Sequence, residues 1–121
     1  MSSSTSELLD RLLQERKAKR EHDRLMTLQK VLTWLDQWAD YYSIETAFVF
    51  GSLICPGHFW EMSDVDIAVE GIDRERHFQA ISHLSRTVER DVDLIPLEHC
   101  HFAERIREHG MVWTAKPNLF L

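Results

Sequence analysis

Two aspartates two positions apart, Asp64 and Asp66, open the run Asp64-Val65-Asp66-Ile67-Ala68-Val69-Glu70, and a third, Asp93, sits inside Val92-Asp93-Leu94. In an extended chain alternate side chains share a face, so Asp64 and Asp66 project together while Val65, Ile67 and Val69 turn to the other side. Two carboxylates about 4 Å apart repel by roughly 4 kcal/mol at an effective dielectric near 20, which raises one pKa or calls for a cation. A divalent metal is the simplest relief. If the strand carrying Asp93 lies beside the one carrying the pair, a third carboxylate joins them. Three oxygen donors on rigid strands suit Mg²⁺, which keeps waters or substrate phosphates in its other positions. Asp91 shares the strand face of Asp93 and is the rival third ligand.

Gly51-Ser52 closes another apolar run, with eleven residues, Leu53 to Ser63, between it and Asp64. A glycine at a strand end lets backbone approach a phosphate closely, and the serine hydroxyl and nearby N–H groups can bond its oxygens. Alone, Gly-Ser is only a turn. Beside a paired-acid metal site it is half of a phosphoryl-transfer centre, with a clamp on the triphosphate and cations for the attacking and leaving oxygens.

The elements that must position these residues are legible from periodicity and punctuation. Ser4 with Glu7 has the form of a capping box and predicts a helix from about residue 6, with Leu8, Leu9, Leu12 and Leu13 at helical spacing. The stripe lapses over residues 14–24 and resumes with Leu25, Leu28, Val31, Leu32, Leu35 and Trp38. Either one helix runs to about Tyr41 or two meet near 20–24; the second half packs on a core, and the first is an arm for another chain or another copy. Ala47-Phe48-Val49-Phe50 is a first strand ended by Gly51, Pro56-Gly57 a turn, and residues 64–70 a second strand ended by Gly71. Asp73 caps a helix over 74–88 with Phe78, Ile81, Leu84, Ser85 and Val88 on its inner side. Residues 91–97 form a third strand whose Pro96 places its outer half at an edge. A short helix over 101–109, stopped by Gly110, and a last strand over 111–114 precede a loose tail. The fold class is α/β, a small mixed sheet backed by helices.

With its elements in place, the pattern Gly51-Ser52, spacer, Asp64-x-Asp66 and later Asp93 resembles the polymerase-β-type nucleotidyltransferase superfamily. The small size resembles its minimal nucleotidyltransferase subgroup. The resemblance covers about residues 46–114 and divides the chain into an N-terminal helical arm, 1–44, and a minimal nucleotidyltransferase domain, 45–121. It implies a polymerase-β-like fold in which Asp64, Asp66 and Asp93 are catalytic and hold Mg²⁺, while Gly51 and Ser52 bind the nucleotide. It favours Asp93 over Asp91, because the family's third acid follows an apolar residue. Members typically serve as antitoxins to a small helical HEPN ribonuclease toxin, and the resemblance implies transfer of AMP from ATP to a tyrosine of that partner. In this chain Leu53-Ile54-Cys55-Pro56-Gly57 stands where the family commonly places Arg-Gly, and the spacer is one residue longer. Two other readings are an antitoxin that neutralises by contact alone and a small-molecule nucleotidyltransferase; the latter usually needs a second domain to hold its acceptor.

Composition bounds the alternatives. The chain has 121 residues, and its net charge of −6 argues against a broad nucleic-acid surface. Its basic residues concentrate at Arg16-Lys17-Ala18-Lys19-Arg20 and Arg24, interleaved with Glu15, Glu21 and Asp23, and read as a solvated helix face. No apolar run approaches the ~18 residues that cross a bilayer, and the first residues lack the order of a secretory signal, which predicts a cytoplasmic protein with no membrane partner. Cys55 and Cys100 read as plain buried or half-buried thiols. His99-Cys100-His101 cannot easily converge on one zinc ion. Phe59 and Trp60 either stack on a base or pack, with packing favoured.

Overall fold

The computed structural model describes residues 3–115. The elements are helix α1 (Ser3–Trp38), strand β1 (Thr46–Phe50), strand β2 (Val65–Glu70), helix α2 (His77–Val88), strand β3 (Val92–Pro96), helix α3 (Ala103–His109) and strand β4 (Met111–Thr114). The two-helix alternative falls away, because α1 is one continuous helix of 36 residues. It already includes Ser4, so the capping box does not mark its start. The predicted tail lies, beyond Ala115, outside the described residues.

The part of α1 from about Arg20 onward packs on the rest of the protein. Arg24, Thr27, Leu28, Val31, Trp34 and Leu35 are buried, a stripe with the 3- and 4-residue steps that keep side chains on one helix face. Leu25, expected on that stripe, is 50% exposed, because the face centres on Val31 and Leu35 and leaves position 25 to its flank. Leu8, Leu9, Leu12 and Leu13 are all about half exposed.

The four strands form one mixed sheet in the order β3-β2-β1-β4. β1 runs antiparallel to β2 and β4, and β2 runs parallel to β3 through the α2 crossover. β3 is therefore an edge, where Pro96 costs no ladder bond. Period-two alternation sorts the side chains. Ala47, Val49, Val65, Ile67, Val69, Val92 and Leu94 join the buried parts of α1 and α2 in the main core. Phe48 and Ala68 face the other way and meet Leu97 and Ile106 of α3 in a smaller cluster. Asp73 accepts a hydrogen bond from the Glu75 N–H at 3.0 Å, opening the turn that leads into α2. The buried stripe of α2 is Ala80, Leu84 and Val88. Phe78, expected inside, is 84% exposed, because that stripe turns position 78 away from the sheet.

Candidate active site

The parallel register of β2 and β3 sets Asp66 beside Asp93. Both alternate with core residues, so both lie on the sheet face away from α1 and α2, the face that α3 covers only in part. The Asp66 carboxyl is pushed up to about 6, first by burial, then by the charge of Asp93, by a hydrogen bond with Asp93 and by the charge of Asp64. The expectation that three aspartates converge is met closely by two. Asp64 precedes the pleated strand, is exposed, and acts on Asp66 more weakly than Asp93 does. Among the described residues no three His, Cys, Asp or Glu side chains close into a metal cage. The rival Asp91 is exposed at the strand entrance, where its carbonyl accepts the Val65 N–H at 2.9 Å, and it has no part in the Asp66 shift.

Gly51 sits against this pair. Its φ is +76°, a conformation glycine adopts without cost, and a Cβ built on it would lie 2.5 Å from Asp66 Oδ2. Backbone of the Gly-Ser turn thus occupies space that any other residue would take from the carboxylate. Residues 51–54 form one 3₁₀ turn, with half-buried Ser52 accepting the Cys55 N–H through its carbonyl at 3.1 Å and Leu53 anchored in the core.

Two arginines that do not stand out in the sequence fix the spacer between turn and acids. Arg24, expected on a solvated face, is only 7% exposed. It donates to the Leu53 carbonyl at 3.0 Å and pairs with Glu21, Nε to Oε2 at 2.9 Å. Arg90 donates to the carbonyls of Trp60, Glu61 and Ser63 at 2.9, 3.1 and 3.0 Å, and its other nitrogen pairs with Asp23. One clamp therefore holds the segment just after Gly51-Ser52 and the other the segment just before Asp64. Each is charge-balanced by an acid of α1. The spacing of Arg24 to Thr27, Leu28 and Val31 was the available signal for the first; Arg90 offered none, since its partners lie in a distant loop.

Both spacer aromatics pack under arginines. Phe59 is buried beneath the Arg90 guanidinium, 4.2 Å from the ring centre, and Trp60 lies under that of Arg20 at 3.8 Å. Cys100 is half-buried, but Cys55 is exposed, a correction that follows from its place in the turn ahead of Pro56-Gly57. Gly51 also lines a groove of about 440 Å³ between Phe50 and α3, with Phe102, Arg105 and His109 along it and none of the three acids in its lining.

A family model described as polymerase beta, nucleotidyltransferase, matches residues 35–116. Among solved structures, the crystal structure of a toxin-antitoxin with AMP-PNP is similar with a TM-score of 0.57 at 20% identity, over 70% of this chain and 74% of that one. The crystal structure of the toxin-antitoxin MntA-HepT is similar with a TM-score of 0.52 at 20% identity, over 75% of this chain and 73% of that one. At that identity both likenesses speak for the fold. No curated protein matches the sequence.

Proposed function

The chain belongs to the polymerase beta nucleotidyltransferase family, and on that premise we propose that it transfers AMP from ATP to a hydroxyl, a tyrosine, of a helical HEPN-type toxin and acts as its antitoxin. The observation that carries the reading is the half-buried Asp66 carboxyl, set beside Asp93 and against the backbone of Gly51. Such a donor set fits Mg²⁺, which is commonly held by one or two carboxylates and completes its shell with water and substrate phosphate, so no all-protein cage is needed. In this reading Asp66 and Asp93 hold the cation and Asp64 joins them from the strand entrance. Bound there, Mg²⁺ would supply charge neutralisation on the triphosphate and on the attacking hydroxyl. Gly51 and Ser52 hold the phosphate oxygens through backbone N–H groups and the serine hydroxyl. Asp93, on the edge strand and the more open of the pair, receives the acceptor's proton.

The two similar structures are of toxin-antitoxins, one of them with AMP-PNP, which supports both the partner class and the nucleotide. The test incubates the protein with α-labelled ATP, Mg²⁺ and the protein encoded beside it. Label is expected on that partner, and it is lost in the Asp64→Asn/Asp66→Asn double variant. Absence of label with the wild type refutes the transfer.

Contact neutralisation is favoured by a separate observation, the four half-exposed leucines on the unpacked end of α1. A double variant that still neutralises its partner without any label would establish that mode.

A further inference from the structure

Resting on the reaction above, we propose that Arg105 is a further catalytic residue whose guanidinium holds the departing pyrophosphate. Direction argues for it. In nucleotidyl transfer the acceptor oxygen bonds to the α-phosphorus while the bond from that phosphorus to the bridging oxygen breaks. The bond's electron pair leaves with pyrophosphate, the hydroxyl proton passes to a carboxylate, and entering and leaving oxygens lie roughly in line. The sheet order β3-β2-β1-β4 orients that line. The acceptor enters on the side of Asp93 on edge strand β3, the phosphorus sits by Asp66 on β2, and the leaving group departs over Phe50 at the end of β1 and Gly51 of the turn that follows it. The groove that Gly51 lines is the space it enters, and α3 supplies the groove's far wall with Arg105.

Leaving pyrophosphate concentrates negative charge, and the segment 53–57 beside the Gly-Ser turn holds no basic side chain to meet it. The other five arginines from β1 onward are all engaged. Arg74 pairs with Glu98, Arg76 with Asp73, Arg90 with Asp23 and Arg107 with Glu70, while Arg86 bonds a carbonyl of its own helix. Among the described residues Arg105 alone of this set has neither hydrogen bond nor ion pair. A free guanidinium, a planar fork suited to phosphate oxygens, therefore lines the groove that also holds Gly51, Phe50 and Phe102.

Calorimetric titration of the full chain with ATP, inorganic tripolyphosphate and AMP, all in Mg²⁺, tests this role. Arg105→Ala should weaken ATP and tripolyphosphate about tenfold, the lower range for a charge-assisted bond at an exposed site, and leave AMP unchanged. The AMP arm also shows that the variant is folded. Arg105→Lys should recover part of the loss, and Arg107→Ala, two residues away, should change none of the three. Unaltered ATP affinity in Arg105→Ala, or equal weakening of AMP and ATP, overturns the role while the reaction stands. A wild type that binds no ATP overturns the reaction and this role together.

Discussion

Asp66 is costly to ionise, and replacing it by asparagine should therefore stabilise the metal-free protein while abolishing transfer. Its carboxyl is raised to about 6 by burial and by Asp93 and Asp64. Against an ordinary value near 3.9 that is about two units, or roughly 3 kcal/mol at 1.36 kcal/mol per unit, which partial access of water reduces to about 1–2 kcal/mol. The sign follows from proton uptake. A carboxyl whose folded-state value lies above its unfolded one binds a proton more tightly when folded. Its contribution is greatest below about pH 4 and is lost as pH rises through about 6. Asp66→Asn has no charge to bury and skips that loss. Every other titrating group is common to both proteins, with Asp93 and Asp64 the two that feel the change. The assay is thermal unfolding by circular dichroism, in chelator, from pH 4 to pH 7. The Tm difference in favour of Asp66→Asn should be small at pH 4 and widen by about 4–8 °C by pH 7. Added Mg²⁺ at pH 7 should raise the wild-type Tm and leave that of the variant unmoved. A difference that stays flat with pH, or a variant less stable than wild type at pH 7, refutes the argument that Asp66 is an ionised group held against its environment.

Gly51→Ala should cost about 1–2 kcal/mol for a left-handed conformation and, because its Cβ would lie 2.5 Å from Asp66 Oδ2, should remove labelling of the partner; retained labelling contradicts the packing of turn against acid. Arg24→Ala strands the Leu53 carbonyl in the interior, an expected loss of about 1–3 kcal/mol in urea unfolding, together with weaker ATP binding as the turn loses its tether. Unchanged ATP affinity would confine Arg24 to stability. Deleting residues 1–14, which carries away the four exposed leucines, should leave unfolding within about 0.5 kcal/mol of wild type, as for surface changes, and should abolish capture of the partner. Capture by the truncated chain assigns that contact elsewhere.

The acid face was readable because its signal is local. Strand period alone separates Asp64, Asp66 and Asp93 from the valines and isoleucines between them, and Pro96 marks the edge. That Asp66 falls beside Asp93 rather than Asp91 depends on register, and register is fixed by which residues of β2 and β3 share the core. Arg24 was misread because a basic residue among acids usually belongs to solvent; what buries it is a carbonyl 29 residues further on. Arg90 depends on loop carbonyls 27 to 30 residues earlier and on Asp23, 67 residues away. Phe78 and Leu25 were misplaced for a related reason. Each fits an apolar helical spacing, but the sheet selects one stripe among those the sequence allows, and its neighbours set the angle.

The two clamps give α1 a part in the site that its distance from the acids conceals. Arg24 and Glu21 tie the helix to the segment after Gly51-Ser52, and Asp23, through Arg90, ties it to the segment before Asp64. Those three helix positions fall within a single turn, so one short length of α1 braces both ends of the spacer. The same helix continues without a break to Ser3, carrying the exposed leucines on its free half. At 1.5 Å per residue it is about 54 Å long. A partner gripping the free half thus holds an extension of the strut that positions turn and acids. On the proposed function, neutralisation by contact and transfer of a nucleotide would run through one helix, and a helix-breaking Ala18→Pro between the two halves should separate them. Partner capture is expected to persist with weakened labelling if the strut steers the acceptor toward Asp93, whereas labelling equal to wild type would show that the acceptor is steered by other contacts.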